Sequence, residues 1–218
     1  MKRLLLISIL ALNYFLSSAQ GFEGIIKFSI SYESLPAEME EAVAMLPKEQ
    51  TFYIKDSKSK FVQNSSMSNT TVISNSDDKS SIVLMEAMGQ KYKMTMTSEE
   101  VEEMEQDTMD EIKIEYVNES KTIAGYDCKK AIVKMDGMDE EAVFYYTDKI
   151  PPLKLSGMEG LHLKGLPLEY IISMEGMKMV MKATSVEKIA VADSTFDIPE
   201  GYTEMPDFMR DAMNENDN

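Results

Sequence analysis

The strongest constraint on this chain is a succession of short segments in which apolar and polar residues alternate, separated by turn-forming residues. A period of two sends successive side chains to opposite faces of a strand, so each segment buries one face of a sheet. In the first segment Ile26, Phe28, Ile30 and Tyr32 share one face, and Lys27, Ser29 and Ser31 share the other. Further strands are expected at 51–55, 60–64, 71–74, 81–88, 91–97, 111–117, 121–135, 141–147, 168–174 and 177–186. Hairpin-linked strands at this spacing predict a mainly β fold, built as a sandwich, barrel or partial barrel. Alternation alone does not choose among the three.

Three hairpins carry their own turn signals. With Gly89-Gln90 as a two-residue loop, Met85 would pair with Met94, Val83 with Met96, and Glu86 with Lys93. With Glu175-Gly176 as the loop, Met174 would pair with Met177, Ile172 with Met179, and Tyr170 with Met181. Glu169, Ser173, Lys178 and Lys182 would then line the opposite face. Asp136-Gly137 predicts a third turn, between 121–135 and 141–147. One or two short helices interrupt this pattern. The first spans Leu35 to Leu46, with Leu35, Met39, Val43 and Leu46 in one apolar stripe that could cover a sheet face. The second begins at the capping residue Ser98 and runs to about Gln106. Residues 149–167 hold three prolines and three glycines, which signal irregular backbone, and are expected to form a flap across an open end of the sheet.

The start of the chain has the layout of a cleaved secretory signal. Lys2 and Arg3 precede an apolar run from Leu4 to Leu16, and Ser17-Ser18-Ala19 supplies the small residues of a cleavage site. The domain plan expected is a signal peptide at 1–19, one β-rich domain at 20–202, and an acidic, flexible tail at 203–218. The chain is therefore expected to be exported, to a periplasm or to the extracellular medium. Removing Lys2 and Arg3 takes the net charge from -16 to -18. That charge repels phosphate, which argues against nucleic acid and anionic membrane surfaces as partners. Cys128 is the single cysteine, so no internal disulfide holds the fold and a hydrophobic core must. A small buried apolar role is expected for it.

Few residues are available for catalysis. His162 is the only histidine, and no Gly-x-Ser-x-Gly elbow, phosphate loop, dinucleotide fingerprint or His/Cys metal spacing is present. Methionine is the unusual feature: 20 residues, beside no tryptophan. Three readings follow. Methionine fills irregular cores; its flexible thioether suits an adaptable apolar site; and clustered thioethers bind Cu(I). The scatter of the methionines along the chain weighs against the third.

Several stretches, taken in order, carry a resemblance. They are Gly24-Ile25-Ile26-Lys27-Phe28, Met88-Gly89-Gln90-Lys91-Tyr92, Ile123-Ala124-Gly125-Tyr126-Asp127-Cys128-Lys129-Lys130-Ala131, and Phe196-Asp197-Ile198-Pro199-Glu200-Gly201-Tyr202. Together they resemble an exported bacterial family of unknown function, domain of unknown function 4412, in the style of the GLPGLI proteins. Gly165-Leu166-Pro167-Leu168 is similar to part of that signature, with Glu169-Tyr170 departing from it. The resemblance covers nearly the whole chain after the signal and supplies no catalytic residue. It implies a curved antiparallel sheet wrapped around a helical lid, as in periplasmic lipoprotein carriers.

The expected function is that of a non-catalytic envelope protein that binds a lipid or lipidated chain, without cofactor or metal. Tyr170, Ile172, Met174, Met177, Met179 and Met181 would line the site, with Met85 and Met94 nearby and Met39 and Val43 on a lid. The alternatives are a structural or interaction module with a well-packed core and, third, a soft-metal site.

Overall fold

The computed structural model describes residues 21–101, 112–134, 140–152, 161–174, 176–206 and 210. The expected signal peptide, the Asp136-Gly137 turn, most of the second helix, the middle of the 149–167 connection and most of the tail lie outside them.

The described strands are β1 (Gly24–Ser34), β2 (Glu49–Lys55), β3 (Lys58–Asn64), β4 (Ser68–Asn75), β5 (Ser80–Ala87), β6 (Gln90–Met96), β7 (Lys113–Ile123), β8 (Tyr126–Lys134), β9 (Ala142–Thr147), β10 (Leu166–Met174), β11 (Met177–Glu187) and β12 (Thr203–Glu204). All twelve join one open, curved sheet in the order β12-β6-β5-β4-β3-β2-β1-β11-β10-β9-β8-β7. The chain thus makes two antiparallel meanders that meet at β1, which pairs with β2 on one side and β11 on the other. Only β12 is parallel to its neighbour.

Two turns depart from expectation for the same reason. Met88 and Gly89 both adopt positive φ, at 52° and 78°, and form the turn between β5 and β6. Two positive φ values give the type I′ geometry, whose twist matches that of a hairpin. The register therefore pairs Met85 with Tyr92, Val83 with Met94, Ser81 with Met96 and Glu86 with Lys91. The shift keeps every side chain on its expected face but exchanges its partner. Glu86 and Lys91 form an ion pair at 2.9 Å. Ala124 and Gly125, at 47° and 83°, likewise split the expected strand 121–135 into the end of β7 and all of β8.

The expected helix from Leu35 to Leu46 is reduced to one turn, α1 (Ala37–Glu40), and a 3-10 turn at Val43–Met45. No side chain of either is buried, and neither has a side-chain N-cap. A segment this short is marginal without an apolar face to dock. At the other end of the chain, the tail boundary moves. Thr203–Glu204 pairs with β6, and Met205 behind it is buried.

The core lies between β1, β2 and β8–β11. One face of the sheet carries an aromatic series through it. Phe61 meets Phe52 at 5.1 Å, Phe52 meets Phe28 at 5.8 Å, Phe28 meets Tyr170 at 5.9 Å, and Tyr170 stacks on Phe144 at 5.8 Å. Ile26, Ile30, Ala131, Val133 and Ala142 complete this buried layer. Burying one such aromatic side chain contributes about 2–3 kcal/mol, so the series anchors the meeting of the two meanders.

Candidate functional site

The register of β10 and β11 is the expected one: Tyr170 pairs with Met181, Ile172 with Met179, and Met174 with Met177. The expected binding wall, however, is divided by burial. Tyr170 and Met181 are each only 6% exposed and belong to the core. The Tyr170 hydroxyl accepts a hydrogen bond from Nε2 of buried Gln50, and burial raises its pKa. A buried ring packed against Phe28 and Phe144 and satisfied at its polar tip is not free for a ligand. Ile172, Met177 and Met179 lie toward the β10–β11 turn and are half-buried. The lid expectation is corrected as well. Met39 is half-buried, but Val43 is 40% exposed on the 3-10 turn, so no continuous apolar stripe faces the sheet.

Met85 and Met94 share the face of Tyr170 but are not beside it. The ladders run from Phe28 through Gln50, Gln63 and Thr70 to Met85, and from Ile26 through Phe52, Phe61, Val72 and Val83 to Met94. β5 lies five positions from β11 in the sheet, about 24 Å along a flat sheet at the usual strand spacing. They belong to a second surface, the wing formed by β3 to β6.

The two faces of that wing differ. The outer face holds Lys58, Lys60, Glu86, Lys91 and Lys93, and residues 188–206 strap across it. Lys55 pairs with Asp193 at 2.8 Å, the Lys60 ammonium donates to the Thr195 carbonyl at 3.0 Å, and Lys93 pairs with Glu204 at 2.8 Å. Tyr202 donates to Glu86 at 2.6 Å. Burial and that bond push the Tyr202 hydroxyl up to about 12, while the same bond holds the Glu86 carboxyl below its ordinary value. Beneath the strap Leu84 is 1% exposed, and Met205 of the strap itself is 5% exposed.

The inner face of the wing is uncharged. β3 presents Ser59, Phe61 and Gln63; β4 presents Thr70, Val72 and Ser74. β5 adds Ser81, Val83 and Met85, and β6 adds Tyr92, Met94 and Met96. In a chain with 28% charged residues, none falls on this face. Its apolar members are all half-exposed. Sequence reasoning singled out Met85 and Met94 for the site and passed over Phe61, Val72 and Tyr92. The signal was available in the two-residue turn at Asp56-Ser57, which continues the ladder from β2 into β3.

On the opposite face of the other half lies a row of polar groups. Lys182, Glu169, Tyr145 and Lys130 are direct cross-strand neighbours on β11, β10, β9 and β8. Glu169 is buried and bonds Lys121, which reaches it from β7 and sits 3.6 Å from the centre of the Tyr145 ring. Its other oxygen, Oε2, makes no hydrogen bond among the described residues and has Lys182 at 3.4 Å as an ion-pair partner. Tyr145 donates to Glu119, which raises the tyrosine to about 12 and lowers the carboxyl. Cys128 is buried beside this row, and burial pushes its thiol up to about 11, the reverse of an activated nucleophile. His162 is exposed. With Lys121 and Glu119 of β7, the row reads as a self-compensating ion network that ties five strands together.

Residues 22–150 match the family described as Domain of unknown function (DUF4412). No curated protein matches the chain. Among solved structures, PNGF-II in its P21 crystal form has a TM-score of 0.54 and 17% identity, covering 88% of this chain and 33% of that one. Its C2 form gives 0.54 and 16%, over 88% and 32%. This chain therefore spans about a third of the length of PNGF-II, and the likeness is one of fold. LprF from Mycobacterium bovis has a TM-score of 0.36 and 7% identity, over 83% of this chain and 90% of that one.

Proposed function

The chain belongs to the DUF4412 family, whose description names no activity, and we propose that it is a non-catalytic, exported envelope protein that holds an apolar ligand, a lipid or lipidated chain, on the inner face of the β3–β6 wing. One observation carries this reading: that face is apolar at its centre, free of charge and half-exposed. An acyl chain laid along Phe61, Val72, Val83 and Met94 would displace water from apolar surface without desolvating an ion. Ser59, Ser74, Gln63 and Thr70 border that row and offer hydrogen bonds to an ester or amide group. The thioethers of Met85, Met94 and Met96 adapt to more than one chain shape. The exported setting rests on the signal-like N-terminus, and the ligand class on the chemistry of this face and on the carrier-like resemblance of the sequence.

The test is binding of a fluorescent acyl probe to the purified protein and to Met94→Asp. The wild type should bind and the variant should lose most of its affinity while keeping its thermal transition. No binding by the wild type, or equal binding by the variant, would contradict the proposal.

The buried state of Tyr170 and Met181 favours a second reading. If the wing as well as the core serves only packing against a protein partner, the protein is a structural or interaction module. It would then bind no acyl probe.

A further inference from the structure

Four large apolar side chains stand exposed at one end of the sheet. Val43 is 40% exposed, Met45 49%, Met67 61% and Met88 94%. The fold brings them together. The β3–β4 turn, with Met67, and the β5–β6 turn, with Met88, line one shallow groove. The Ser66 hydroxyl reaches the Met45 carbonyl at 3.5 Å, which places the 3-10 turn beside the β3–β4 turn. Neither hairpin tip carries a charge: they read Ser65-Ser66-Met67-Ser68-Asn69 and Ala87-Met88-Gly89-Gln90. The adjacent Glu86 and Lys91 neutralise each other.

Met88 is the most telling of the four. It occupies a left-handed position, φ 52°, where asparagine, aspartate or glycine is favoured and an unbranched apolar side chain gains nothing from the turn itself. It is also almost wholly in water, so it gains nothing from packing. A residue that serves neither the turn nor the core points to an external contact.

We infer that this rim of methionine tips inserts into the surface of a lipid bilayer without net charge, and that the bilayer is the source of the ligand held on the inner face. The inference rests on the proposed function for its second half. The choice of occupant follows from charge. The chain carries a net charge of -16, which disfavours anionic lipid, while the two uncharged hairpin tips can enter a zwitterionic headgroup layer without stripping water from an ion. The location fits delivery: β3 to β6 run directly from these tips to the uncharged face, so an acyl chain leaving the bilayer meets Met85 and Tyr92 first.

The experiment is cosedimentation of the purified protein with phosphatidylcholine vesicles, beside acyl-probe binding measured without vesicles. The wild type should bind the vesicles, and Met67→Asp/Met88→Asp should lose about tenfold or more in partitioning, the effect of withholding apolar side chains from the interface. Probe binding should stay unchanged. Met88→Asn guards against misfolding: asparagine suits the turn, so the melting temperature should hold or rise while vesicle binding falls. Unchanged vesicle binding in both variants, or none in the wild type, would overturn the inference. Equal or tighter binding to phosphatidylglycerol vesicles would overturn the choice of an uncharged surface. A dimer that dissociates in the double variant, without vesicle binding, would make the rim a self-interface and overturn it too. Vesicle binding kept without any probe binding would support the rim and refute the ligand reading alone.

Discussion

The core region of the sheet and its β3–β6 wing use the same hairpin grammar and reach different ends. On the side of β1, β2 and β8–β11, Phe28, Phe52, Phe144 and Tyr170 are buried and packed ring against ring. On the side of β3–β6, Val72, Val83, Met85 and Met94 alternate just as cleanly, yet remain half-exposed on the inner face. The difference lies in what covers each face. Among the described residues, the strap crosses the outer side of the wing and Leu84 is buried under it, while no inner-face residue of the wing is buried. Alternation therefore specifies which face is apolar, while burial is decided by what the rest of the chain brings to it. A face that is apolar, uncharged and uncovered is the one suited to an external apolar partner.

That contrast can be broken in a graded way. Phe28→Ala removes a ring held by Phe52 and Tyr170, and should cost about 3–5 kcal/mol in urea unfolding. A loss near that of a surface residue would mean the core has been misplaced. Met205→Ala should cost about 2 kcal/mol, at the low end for a buried methionine because the strap can relax. It should also raise hydrogen exchange in β5 and β6 selectively. If protection falls equally in β9 and β10, the wing is not a separate unit.

Val72→Ala, on the uncovered face, should cost only about 1 kcal/mol or less, since its methyl groups already meet water. A larger cost would show that something covers this face. The smallest effect concerns the Tyr202–Glu86 bond. Glu86 titrates below its ordinary 4.5 when folded, so its contribution is present above that pH and is lost as the pH falls through the lower folded value. Tyr202 titrates above its ordinary 10.0, so its contribution is present below that pH and is lost as the pH rises through about 12. The melting-temperature gap between wild type and Tyr202→Phe should thus be widest between these limits and close toward acid.

Much of the architecture was legible. The β10–β11 register followed from one Gly-containing turn and a strict alternation, and every pair from Tyr170 to Met177 matches. The β5–β6 register did not, because its turn begins at Met88, a residue type with no preference for positive φ. The Ala124-Gly125 turn was hidden likewise, inside a run that alternates on both sides of it. The expected lid failed for a different reason: spacing placed Met39 and Val43 on one stripe, but twelve residues without a cap or an apolar surface to dock on do not sustain a helix. For the site, sequence identified the apolar face and two of its members. It could not separate Tyr170 and Met181 in the core from Met85 and Met94 in the wing, since that division depends on cover supplied by other segments.

The most direct test uses the methionines as probes. With their methyl groups labelled with carbon-13, the protein is titrated with a soluble acyl ligand and followed by NMR. The account predicts that Met85, Met94 and Met96 shift together while buried Met181 and Met205 do not. Shifts confined to Met181, or no shift at saturating ligand, would contradict it.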